Sequence, residues 1–345
     1  MMRKAICTFL RPNTSTNFGI PYFCTQQFSS NSFSYPDFTS QFYDTSKEKK
    51  PILPDKYRLL NRKSNFVSVH QLRSSVILVD KPLHFTSSDL CEKIAKLVRP
   101  AFRVKVGHAG TLDPLATGLI ILCCGETTRM SSVFMAEDKV YEGTFRLGEG
   151  TASYDAESPV TEHLPWQHIT DEDLQKATSL FRGTISQIPP PYSAVRINGR
   201  RLYDLAANGE IDRTSIPPRQ VTIKEFEVER DPEDQQLVNF RVACSKGTYV
   251  RSLAYDFGKA LNSTAYVTKI VRSVSGKFKL EDAWSWQSLT DQVQWLVDKE
   301  TKRRANSSVP SHTPSHNGPR QWNNDNINSN RTGYKNSNSN IDSIV

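Results

Sequence analysis

Hydrophobic positions along the chain fall into several distinct patterns. Val76-Ile77-Leu78-Val79 is an unbroken apolar run of the buried-strand kind, closed by Asp80-Lys81-Pro82. A second run covers Leu119 to Cys124. Strict alternation appears at Tyr141, Gly143, Phe145 and Leu147, and again at Val238, Phe240, Val242 and Cys244, which predicts two more strands. Helical spacing appears from Ser87, where Leu90, Ile94, Leu97 and Val98 share one face and Pro100 stops the run. Two further helices are predicted: 171–181 behind Thr170 as N-cap, and 249–261, where Leu253, Phe257 and Leu261 recur every four residues. Strands and helices mix without a regular β-α-β rhythm, so the expected class is α+β.

This patterned stretch predicts a folded domain over 74–298. Residues 46–73 read as a basic, irregular lead-in containing Pro51 and Pro54. The first 36 residues carry Arg3, Lys4 and Arg11 but no acid, and are rich in Ser, Thr, Asn and Phe. That composition predicts an organellar transit peptide over 1–45, addressed to mitochondria first and plastids second; an ordinary disordered extension is the alternative. Residues 299–345 read as an Asn/Ser-rich tail with too little apolar area to offset its ordering entropy.

Composition adds limits. Hydrophobic residues make up 37% of the 345, in keeping with unpacked ends. A formal charge of +8 suits a polyanionic partner without naming one. The six cysteines, at 7, 24, 91, 123, 124 and 244, lack C-x-x-C spacing, so no metal site is expected. No apolar run reaches about 18 residues, so no membrane association is expected.

The candidate chemistry lies in Gly107-His108-Ala109-Gly110-Thr111-Leu112-Asp113-Pro114-Leu115-Ala116-Thr117-Gly118. Three glycines and a proline around one carboxylate describe a tight loop that aims an acid in a fixed direction. Alone, an Asp-Pro pair also fits a structural turn.

The loop resembles the catalytic loop of TruB-type pseudouridine synthases, which act on the uridine at position 55 of the tRNA T-loop. Other segments resemble that family in the same order. They are Val79-Asp80-Lys81-Pro82, Thr86-Ser87, Gly125-Glu126-Thr127-Thr128-Arg129, Asp138-Lys139-Val140-Tyr141, Ile188 to Ala194, Gly199 to Tyr203, and Ser245 to Arg251. The resemblance spans roughly 74–285 and implies a pseudouridine synthase core, a mixed and largely antiparallel sheet flanked by helices. It implies tRNA as partner and no cofactor; a monomer is the expected assembly.

By position, the resemblance implies Asp113 as nucleophilic carboxylate, Tyr141 as the ring against the uracil, and Arg251 as the partner of Asp113. Pseudouridine formation breaks the C1′–N1 bond, turns the uracil and joins C5 to C1′. A carboxylate serves that step when ionised, and a neighbouring arginine favours its charged form. A stacked uridine must also be extruded. His108 stands where the family's histidine helps displace it, and Ile270 where an aliphatic residue closes the pocket. Arg129, Lys246 and Tyr249 are expected at the substrate, and Lys105, Arg196, Arg200 and Arg201 are candidate phosphate contacts.

Three departures stand out. His84 replaces a customary glycine, so its turn is either reshaped or holds a non-glycine residue at unusual φ. Ala152-Ser153 replace Asp-Thr, which puts any polar role there in question. Bacterial members usually carry a small C-terminal RNA-binding (PUA) domain, whereas here the pattern passes into the Asn/Ser tail. A non-catalytic tRNA-binding or folding factor on the same scaffold is the rival reading, opposed by the retained Asp113, Tyr141 and Arg251.

Overall fold

A computed structural model describes residues 57–307. The expected transit peptide and all of the tail beyond Ser307 lie outside the described residues.

The chain opens with β1 (Arg58–Leu60) and a 3-10 turn (Val69–Arg73), then β2 (Ser74–Lys81) and α1 (Ser87–Val98). Thr86 and Asp89 cap α1 reciprocally, each side chain accepting from the other's backbone N–H. Next come β3 (Val106–His108), β4 (Ala116–Gly125), the short α2 (Ser131–Ala136) and β5 (Lys139–Leu147). A hairpin of β6 (Glu149–Thr151) and β7 (Val160–His163) leads to α3 (Asp171–Ser179) and β8 (Gly183–Gln187). The small β9 (Arg196–Ile197), β10 (Arg200–Arg201) and α4 (Leu202–Ala207) precede β11 (Arg219–Arg230) and β12 (Leu237–Cys244). The chain closes with α5 (Val250–Ala260), β13 (Ala265–Ser275), β14 (Phe278–Lys279), β15 (Trp284–Ser285) and α6 (Trp286–Ser307).

The main sheet runs β1-β2-β4-β13-β5-β12-β11-β8. β1 and β15 pair parallel with β2, and β4 pairs parallel with β13; the remaining pairs are antiparallel. The fold is therefore the α+β core with a mixed sheet and flanking helices that the sequence implied.

Burial explains the differing sequence patterns. α1 and α6 cover one face of β2 and β4 through Leu90, Ile94, Leu289 and Val293, while Phe134 and Phe278 cover the other. Strands covered on both faces need no polar alternation, hence the unbroken apolar runs. β5, β11 and β12 instead bury one face, against α3 and α5, around Phe145, Phe226, Phe240 and Phe257. Phe145 stacks on Phe240 with ring centroids 4.1 Å apart.

Several boundaries are corrected. The lead-in is packed structure from residue 57 onward: Leu60, Phe66, Val69 and Leu72 are buried, because β1 and the turn after it close the edge of β2. The domain also runs past residue 298. α6 continues to Ser307, where Glu300 holds Arg303 and Arg304 at helical i, i+3 and i, i+4 spacing. The tight loop expected over 107–118 has strand at both ends. β11 showed no usable period because its ladder slips between Ile223 and Glu225, which shifts the buried set to Phe226 and Val228.

Candidate active site

The connection from β3 to β4 is a hairpin that opens too wide for a backbone ladder. Its last regular rung is the Ala109 N–H to the Ile121 carbonyl, at 2.9 Å. Beyond that point the Arg272 guanidinium, from β13, fills the opening. It donates to the carbonyls of Leu119 (2.7 Å), Gly110 (3.1 Å) and Thr111 (3.4 Å). Arg272 is 1% exposed, so these bonds serve as the substitute for water that a buried cation requires. Gly118 sits at φ 97°, and a Cβ there would come within 2.5 Å of the Arg272 carbonyl oxygen, so the close approach demands glycine.

The other side of the loop is tied to the end of β2. Lys81, fully buried, donates from Nζ to the carbonyls of Phe85 (2.6 Å), Pro82 (2.9 Å) and Pro114 (3.3 Å). Burial lowers its pKa to about 8, against the pull of Asp113 and other carboxylates. The His84 N–H also reaches the Pro114 carbonyl, at 2.9 Å, and His84 holds the left-handed φ of 65°. The turn thus keeps its unusual backbone without glycine. Ser87 Oγ accepts from the Leu112 N–H and donates to the Leu112 carbonyl. The residues on both sides of Asp113 are therefore fixed, and its side chain remains 43% exposed.

Arg251 approaches from the first turn of α5. Its Nε lies 2.9 Å from Asp113 Oδ2 and 3.6 Å from Asp155 Oδ2. Its Nη1 and Nη2 donate to the carbonyls of Ser153 and Tyr192, both at 3.0 Å. Asp155 is nearly buried, with Oδ1 accepting from Ser153 Oγ (2.5 Å) and the Glu157 N–H (3.0 Å). Ser153 therefore has a polar role after all.

Asp113, Asp155, Arg251 and Ile270 line one cleft, together with Leu115 and residues 267–269 of β13. Tyr141 stands directly opposite Arg272 in the β5–β13 ladder and packs beside Ile270 between the two main cores. Burial pushes its phenol above the ordinary value, opposed by a hydrogen bond and the charge of Arg272. Tyr249 caps α5 and is fixed by Gln187, whose side chain bonds both its N–H and its carbonyl. Its phenol too is pushed up by burial, with Arg251 and Asp113 among its charged neighbours.

Tyr141 and Tyr249 are outside that cleft lining, as are the remaining expected residues. His108 lies on β3 beside Arg272; burial, then Arg272, lowers its pKa and favours the neutral ring. Arg129 is exposed beyond the far end of β4, a strand about 30 Å long at strand rise. Lys246 is exposed in the turn before α5. Arg200 is held by Glu210 in a two-pronged pair, and Arg196 by the Gly199 carbonyl. A wider groove of about 600 Å³, walled by Phe66, Trp284 and Trp295, has Lys299 as its one charged side chain and no acid. Among the described residues no cluster of His, Cys, Asp or Glu fits a metal, and no helix is long and apolar enough to cross a membrane.

Residues 97–250 match the TruB family pseudouridylate synthase N-terminal domain, a span that includes Asp113 and Tyr141 and stops one residue short of Arg251. The chain is 42% identical over 216 residues to tRNA pseudouridine synthase B of Flavobacterium johnsoniae, covering 61% of this chain and 93% of that protein. The chain belongs to the TruB family. The tRNA pseudouridine synthase B of Opitutus terrae is likewise 42% identical, over 66% of this chain and 90% of its own length. A solved Cbf5-Nop10-Gar1 complex overlaps with TM-score 0.49 and 26% identity, over 64% of this chain and 54% of that one. As a TruB-family protein the chain is a pseudouridine synthase, an isomerase acting on RNA.

Three contributors were not among the expected site residues: Asp155, Lys81 and Arg272. Lys81 had a usable signal, since strand alternation puts it on the same inward face as Ile77 and Val79. Asp155 and Arg272 gave none at sequence level, because the contacts that bring them to the site lie 96 and more residues away, at Arg251 and in the 110–119 loop.

Proposed function

We propose that this TruB-family protein isomerises the T-loop uridine at position 55 of tRNA, with Asp113 as its nucleophilic group. The observation that carries this reading is the ion pair of Asp113 with Arg251 at 2.9 Å, formed on a loop whose neighbouring backbone is fixed from both sides. The names of the relatives support tRNA as the substrate.

In this reading the uridine leaves its stack and enters the cleft. The Asp113 carboxylate assists cleavage of the C1′–N1 bond while the Arg251 ion pair keeps it aimed. The uracil turns, C5 bonds to C1′, the C5 proton departs and N1 gains one, so atoms balance with no second substrate. Tyr141 and Ile270 wall the base, and Tyr249 positions the turn that presents Arg251. The neutral ring of His108 fills stacking space beside the loop, and Arg129 and Lys246 meet the RNA outside the cleft.

The test is isomerisation of an unmodified tRNA transcript followed by pseudouridine mapping. One modified site in the T-loop, lost when that uridine is replaced by cytidine, is the expected result. RNA binding without isomerisation on any transcript, as the rival binding factor would give, overturns it. The acid-free first 36 residues support a mitochondrial address for the enzyme, with plastids second. A fusion of residues 1–45 to a fluorescent protein should enter the organelle, and a cytosolic signal would refute the address.

A further inference from the structure

The rim of the cleft holds a cation to which the reading above assigns no task. The pairing of β13 with β5 slips between Val267 and Lys269. At this bulge Thr268 and Lys269 are both exposed, where a regular strand would turn one of them inward. The slip depends on Gly143 in β5, since a Cβ there would overlap the Lys269 carbonyl oxygen. Thr268 uses its exposed position to bond the Thr144 carbonyl, at 3.2 Å. Among the described residues the Lys269 ammonium has no hydrogen-bond or ion-pair partner, yet Lys269 lines the cleft with Asp113 and Arg251.

Charge gives that free ammonium a use. Asp113 and Asp155 share one arginine, and Glu157 lies close enough for both aspartates to raise its pKa, behind the larger effect of burial. Without Lys269 the cleft is therefore net negative. A nucleotide brings a phosphodiester on either side of its ribose, and these anions would meet like charge at the mouth.

We infer that Lys269 binds an RNA phosphate adjacent to the uridine in the cleft, which rests on the cleft being the uridine site. The bulge serves to turn this side chain toward the incoming backbone, and its charge offsets that of the carboxylates. Lys269 is thus a substrate-binding residue, separate from the groups that act on the base.

The test titrates a T-arm hairpin RNA by fluorescence anisotropy against wild type, Lys269→Ala, Lys269→Glu and Lys269→Arg. Salt is varied from about 50 to 200 mM, a range in which each phosphate contact contributes about 0.7 to the slope for single-stranded RNA. Lys269→Ala should weaken binding about three- to tenfold at the low end and reduce the slope by about 0.7, with Lys269→Arg restoring both. Lys269→Glu should weaken it further. Unchanged affinity and slope in the Ala and Glu variants would overturn the inference and leave an ordinary surface lysine. Because binding is the readout, the inference is decided separately from the catalytic reading, which stands or falls on turnover by wild type and Asp113→Asn.

Discussion

Two buried arginines flank the Asp113 loop, and they are employed differently. Arg272, on β13, spends its donors on the carbonyls of Gly110, Thr111 and Leu119 and meets no carboxylate among its hydrogen-bond partners. Arg251, on α5, divides its donors between two carbonyls and the two carboxylates of Asp113 and Asp155. One cation holds a backbone shape; the other holds a charge in place. The same side chain, buried to a similar extent, thus holds backbone carbonyls alone at one site and a pair of carboxylates as well at the other, and the partner atoms tell them apart.

The same substitution at both sites should separate the two roles. Arg251→Lys keeps the charge but loses the planar fork, so kcat should fall about a hundredfold or more, as for loss of one positioned donor. Arg251→Lys also frees the Ser153 and Tyr192 carbonyls, so some stability should be lost with it; intact turnover in this variant would erase the distinction. Arg272→Lys should act in the opposite way, leaving carbonyls unsatisfied and costing about 3 kcal/mol in urea unfolding. An unchanged midpoint there would mean that the loop keeps its shape without the guanidinium.

A smaller effect concerns pH. Burial brings the Lys81 ammonium from 10.5 to about 8, so between those values the unfolded chain carries more protons at this site than the folded one. Stability from this group therefore rises with pH across that window and is lost as pH falls through 8. Lys139, also lowered to about 8, contributes in the same direction. Lys81→Met should flatten the rise measured by denaturant unfolding from pH 8 to 10.5, and an unaltered slope would refute the assignment. The smallest effect is at His84, whose left-handed φ costs an L-residue about 1 kcal/mol. His84→Gly should recover about half of that after glycine's own entropy cost. A loss of stability would show that the imidazole itself is needed.

Much of this was legible in the sequence, for definable reasons. The helix at Ser87 and the strand at Val238 carry clean periods and sit where predicted, because each buries one face. Asp113 with Arg251, and Ile270 on the cleft wall, came through the family resemblance, and the geometry brings them together. Bulges hid β11 and the rim at Lys269, since a one-residue slip breaks the period on which such reading depends. The lead-in from residue 57 and the end of α6 were misjudged from their polar composition. Four buried residues of the first and a Glu–Arg network in the second suffice to hold them. Long-range partners such as Arg272 have no local signature at all.

The central claim is that Asp113, aimed by Arg251, carries out the isomerisation. It is tested most directly by single-turnover pseudouridine formation on a T-arm hairpin with wild type and Asp113→Asn, at saturating enzyme. The substitution keeps the size of the side chain and removes the anion. Rapid formation by wild type, and a loss of about 10⁴-fold or more in Asp113→Asn with RNA affinity retained, is the predicted result. Pseudouridine formation by Asp113→Asn at a rate near wild type would contradict it.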